Sequence, residues 1–89
     1  MIKENIIEYI TLCIGVFANN FGISNSHAYQ YLKKYKAIKF LIDYYDIEHT
    51  LSIDEAIEDC VNICQRNGGS LKLNKINRDD IISWLKYTY

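Results

Sequence analysis

Apolar residues return at three- and four-residue steps through the first quarter of the chain: Ile6, Ile10, Ile14, Phe17 and Phe21, widened by Ile7, Cys13 and Ala18. That spacing is the stripe of an amphipathic helix. Little charge lies behind it, which predicts a central helix covered on most sides. Gly22 is placed to close this helix in the left-handed conformation. Ser24 or Ser26 then caps a second helix to about residue 35, with Ala28, Tyr31, Leu32 and Tyr35 inward. A third helix is predicted over 37–47, packing Ile38, Leu41, Ile42 and Tyr45. Neither proline nor glycine marks Tyr35-Lys36, so a break and a kink fit that junction equally well.

Ser52-Ile53-Asp54-Glu55 sets a hydroxyl three residues before a carboxylate, close to a capping box, and opens a fourth helix. Its buried stripe is Ile53, Ile57, Val61 and Cys64 with Ala56 and Cys60, and Asn67-Gly68-Gly69 is a sharp stop. Over 70–74, Leu71 and Leu73 alternate with polar residues, as in an extended strap across the bundle. Asn77 and Asp80 open a last helix carrying Ile81, Ile82, Trp84 and Leu85.

Composition supports the same architecture. The 89 residues include four glycines and no proline, are 49% hydrophobic and 24% charged, and sum to a net charge of −1. The expectation is one domain over residues 1–89, all-α, a compact bundle of four to five short helices. A core of this size supplies only a few kcal/mol of net stability, so a partner or homo-oligomer formation would help complete it. Cys13, Cys60 and Cys64 are odd in number and lack a disulfide-framework spacing, which suits a reducing compartment. Residues 9–32 carry no Asp, Glu, Lys or Arg. Asn19-Asn20 interrupts their apolar part well short of the roughly 20 residues a spanning helix needs. The chain is therefore expected to be cytoplasmic, with no membrane segment.

No catalytic set assembles from these residues. Asp46 and His49 lie three apart with Tyr45 beside them, and an Asp-oriented imidazole can act as a general base. At a helix C-terminus, however, the ring is better used on free backbone carbonyls. Cys60 and Cys64 share a helix face, but zinc needs four ligands and only Cys13, His27 and His49 remain to complete the set. Gly68-Gly69 lacks the Lys-Ser/Thr of a phosphate loop. The expectations are no enzyme activity, no metal and no cofactor.

Charge and aromatic residues point instead to binding. Residues 24–42 carry Lys33, Lys34, Lys36 and Lys39 with no acid, whereas residues 43–59 carry seven acids with no Lys or Arg. Such a block speeds association with a basic partner and repels phosphate backbones. Five of the eight tyrosines, Tyr29, Tyr31, Tyr35, Tyr44 and Tyr45, fall within 17 positions. Tyrosine is favoured at protein interfaces, where an apolar ring and a polar tip are both used. The expected contact ridge is Tyr44, Tyr45, Asp46, His49, Glu58 and Asp59. The alternative is a helix-turn-helix DNA binder built on the 18–24 segment around Gly22. Asn25, His27, Gln30, Lys33 and Lys34 would then lie on its reading helix, although no arginine occurs there.

Several strings together resemble a small bacterial helical family of unknown function. They are the Ile14–Phe17–Ala18 start, Gly22-Ile23-Ser24, Leu32-Lys33-Lys34-Tyr35 followed by Phe40-Leu41, and above all Tyr45-Asp46-Ile47-Glu48-His49-Thr50 followed by Ala56-Ile57-Glu58-Asp59. The family string is Tyr-Asp-x-Leu-His-Thr, so Glu48 stands where leucine is usual. The resemblance covers about residues 5–69, with 70–89 as a C-terminal extension. It implies a protein often encoded beside ADP-ribosyltransferase-like proteins, in an arrangement similar to a toxin–antitoxin pair. The implied role is a small non-catalytic partner that binds such an enzyme.

Overall fold

The computed structural model describes residues 3–72, and side chains from residue 5 onward. Five helices follow one another: α1 (Lys3–Phe21), α2 (Asn25–Lys34), α3 (Ala37–Asp43), α4 (Tyr45–Glu48) and α5 (Ile53–Arg66). No strand occurs among the described residues, so this part is an all-α bundle of short helices. The helix expected from Asn77 or Asp80, and the end of the strap at 73–74, lie outside the described residues.

Local chemistry sets most of the boundaries. Gly22 adopts φ +63°, and its amide and that of Ile23 return to Asn19 O (3.4 Å) and Ala18 O (3.0 Å), which closes α1 as a Schellman motif. The cap of α2 is Ser24, whose Oγ accepts from the His27 amide at 3.0 Å. Ser52 and Glu55 form the complete capping box of α5: Ser52 Oγ accepts from the Glu55 amide, and Glu55 Oε1 accepts from the Ser52 amide, both at 3.2 Å. A second Schellman motif ends α5, with Gly68 at φ +100° and the Gly69 amide donating to Cys64 O at 2.8 Å. The α2–α3 junction is a true break, because Lys36 takes the left-handed conformation at φ +74°.

Burial follows the stripes where helices cross. Cys13, Phe17 and Ala18 of α1, Ala28 and Leu32 of α2, Ala37 and Leu41 of α3, and Ile57, Cys60, Val61 and Cys64 of α5 form one core. α1 departs from expectation in being only partly covered, with Ile7 62% and Leu12 54% exposed. Beyond α5 the strap begins as expected. The Leu71 amide donates to the Tyr31 hydroxyl at 3.0 Å and Gln65 Nε2 donates to Leu71 O at 3.1 Å, tying the chain back over α2. Gly69 is needed beneath it, since a Cβ there would collide with the Tyr31 hydroxyl.

The helix expected over 37–47 is divided at Tyr44, which sits at φ −113°, ψ 22°. A straight helix would keep Ile42 on the stripe of Ile38, Leu41 and Tyr45. The turn at Tyr44 leaves Ile42 49% exposed and brings Tyr45 against Tyr9 of α1, ring centroids 5.5 Å apart and edge-on. Packing has overridden helical continuity here, with no glycine or proline to announce it.

Candidate functional site

The single turn of α4 and its flanks carry most of the residues that the aromatic and acidic pattern singles out. Tyr44, at the junction, is 52% exposed and leans on Phe40, ring centroids 5.2 Å apart. Tyr45 is half-buried between two rings, with Tyr9 at its edge and His49 stacked on its face at 4.4 Å and 11°. The exposed imidazole of His49 is held by its own turn, its Nδ1 lying 2.5 Å from Tyr45 O. This is the helix-end carbonyl use expected of it. Asp46 and Ile47 face solvent, Ile47 at 60% exposure. Across the seam Glu58 and Asp59 of α5 are half-buried.

The residue that sequence reasoning missed is Glu48. It is the one buried residue of α4, at 5% exposure. One of its oxygens, Oε1, has no hydrogen-bond partner, and neither has the buried Tyr9 hydroxyl. Burial, then contact with the Asp59 carboxyl, pushes the Glu48 carboxyl up to about 7. Burial also raises Tyr9 far above the ordinary phenol range. As one of a block of seven acids, Glu48 looks like surface. The only signal that could have marked it is its place in a string that otherwise carries leucine.

The thiols belong to the core. Cys13, Cys60 and Cys64 are buried and free, and burial raises Cys13 and Cys64 to about 11, so they are poor nucleophiles at neutral pH. No group of three or more His, Cys, Asp or Glu among the described residues is arranged to hold a metal ion. His49 and Asp46 are both exposed, and the His49 Nδ1 contact is with Tyr45 O.

The alternative nucleic-acid residues lie on α2. Asn25, His27, Gln30, Lys33 and Lys34 are all exposed. α1 and α2 meet at 105° across the three-residue turn 22–24, within the range of a helix-turn-helix. The two lysines fold over rings of their own helix end, Lys33 Nζ 5.8 Å from the Tyr29 ring centre and Lys34 Nζ 5.3 Å from that of Tyr35. Among the described residues no single helix is long and apolar enough to cross a membrane.

The fold and this surface define a small all-α domain whose distinctive chemistry sits on the α3–α5 side. The chain belongs to the family described as protein of unknown function (DUF3791), whose model matches residues 8–67. Neither the curated proteins nor the solved structures give a match.

Proposed function

We propose that this chain is a non-catalytic protein-binding module, the antitoxin-like partner of an ADP-ribosyltransferase-like enzyme, and that it binds through the ridge Tyr44, Tyr45, Asp46, His49, Glu58 and Asp59. The observation that carries this reading is the exposure of Ile42, Tyr44 and Ile47, at 49%, 52% and 60%, within six residues of chain. Large apolar groups grouped in this way and rimmed by acids have the make-up of an interface core with a charged border. The named enzyme class rests on the family resemblance alone. The test is binding kinetics against an ADP-ribosyltransferase-like protein of the kind the resemblance implies as a neighbour, using a Tyr44→Ala, Asp46→Lys double variant. Loss of the ring and reversal of the charge should weaken binding by roughly tenfold or more, mostly through slower association for the charge. Unchanged affinity with an intact fold would remove the ridge from the proposal.

A second reading, a helix-turn-helix DNA binder, is favoured by one feature, the 105° crossing of α1 and α2 with a glycine in the turn. Under that reading Lys33→Glu with Lys34→Glu abolishes retention of duplex DNA, and the α4 double variant leaves it unchanged.

A further inference from the structure

The turn that presents Tyr44, Asp46 and His49 is seated in the bundle by an acid. Glu48 alone of α4 is buried, with Oε1 sealed from water and unpartnered. Its titratable neighbours come from two helices. From α5 they are the Asp59 and Glu55 carboxyls and the Cys60 thiol. From α1 they are the Tyr9 hydroxyl and the Cys13 thiol. Glu55 is committed to the Ser52 cap. On α3, Lys39 is occupied by Asp43 at 2.7 Å. No described cation compensates this pocket of acids. A buried carboxylate here would be opposed both by desolvation and by like charge. Two carboxyl groups can hydrogen-bond only when one of them carries a proton to donate.

We propose that Glu48 and Asp59 hold one proton between them, and that this shared proton is the latch that seats the α4 turn on α1 and α5. With the proton present, the two carboxyls bond across the α4–α5 seam. When it is lost to solvent, two carboxylates face one another. Asp59 is half-buried and can rotate outward. Glu48 is 5% exposed and its Oε1 is sealed from water. The repulsion is then relieved by outward movement of the α4 turn that carries it. That movement separates Tyr45 from Tyr9 and shifts the Tyr45–His49 stack. The raised proton affinity of Glu48 agrees with this arrangement and places the transition near neutral pH. The inference concerns the free protein and holds whatever the ridge binds.

The test is a side-chain carboxyl NMR titration of the full chain from about pH 4 to about pH 9, followed together with the Tyr9 and Tyr45 ring signals and α4 amide exchange. The expected result is a Glu48 carboxyl titrating well above the ordinary glutamate range. Both rings shift over the same interval, and α4 amide protection falls roughly tenfold across it after correction for hydroxide catalysis. Glu48→Gln and Asp59→Asn should each abolish the step and keep α4 protected at high pH. The step should persist in His49→Gln, and its loss there would assign it to the imidazole and overturn the proposal. An ordinary Glu48 titration, or a raised one with the rings and α4 amides silent, would also overturn it. The wild-type titration decides even where a variant fails to fold.

Discussion

The α1–α2–α5 seam and the α3–α4 segment solve the same problem with different materials. The seam is closed by hydrocarbon and thiol. Phe17, Leu32, Ile57, Cys60 and Cys64 are essentially inaccessible, and each end of α5 is finished by its own hydrogen-bonded motif. The α3–α4 segment gives Ala37 and Leu41 to the core, but it leaves Ile42, Tyr44 and Ile47 in water and also buries an acid. Apolar burial is non-directional and indifferent to pH, whereas an acid seat depends on a proton and on the geometry of its neighbour. The first region is built to stay folded. Under the two proposals, the second is the region to be covered or moved.

The difference can be tested by breaking each side in turn. Phe17→Ala removes the largest fully buried side chain of the seam and should cost about 3–5 kcal/mol, enough to unfold most of a domain this small. Chemical denaturation read by far-UV circular dichroism checks it. Glu48→Gln acts on the other side, and its effect depends on pH. A carboxyl whose folded pKa is raised from 4.5 to about 7 contributes its stability fully below pH 4.5. That contribution declines as pH rises through about 7 and is absent above it. The variant should therefore be more stable than the wild type near pH 8, by on the order of 2 kcal/mol, with little or no advantage near pH 4. Parallel melts at the two pH values test it.

Ser52→Ala removes the capping box of α5 and should cost about 1 kcal/mol at any pH, visible as a lower denaturation midpoint with an unchanged slope. Lys39→Ala breaks the 2.7 Å pair with Asp43, whose side chains are 72% and 47% exposed. It should change the melting temperature too little to measure, because exposed pairs are screened and entropically offset. A large effect there would mean that α3 depends on surface charge, contrary to the contrast drawn between the two regions.

How far each region could be read from the residues follows the same division. Gly22, Ser24, the Ser52–Glu55 box and Asn67-Gly68-Gly69 mark their boundaries by local chemistry, and all four act where the pattern places them. The α5 stripe is buried except at Ile53, which is half-buried at its first turn, because periodicity and core face coincide. The break at Tyr44 was not legible. Nothing in Ile42-Asp43-Tyr44-Tyr45 opposes a helix, and the turn arises from Tyr45 meeting Tyr9 and Glu48 entering the seam. Ile42 consequently emerges on the surface, and α1 keeps Ile7 and Leu12 exposed where a covered helix was expected. Of the expected ridge, Tyr44, Asp46 and His49 are exposed, while Tyr45, Glu58 and Asp59 are half-buried. The most consequential residue, Glu48, was hidden by its neighbours, since one acid among seven carries no sign of burial.

The most direct test of the claim that the α3–α4 side is the working face is an affinity capture from the native host. It uses three tagged baits: wild type, Tyr44→Ala with Asp46→Lys, and Lys33→Glu with Lys34→Glu. Each eluate is read by mass spectrometry and by absorbance for nucleic acid. The account predicts one stoichiometric protein partner on the wild-type and lysine-variant baits, absent from the α4 variant, with no nucleic acid. Nucleic acid held by the wild type and lost only from the lysine variant, with no protein partner, would contradict it.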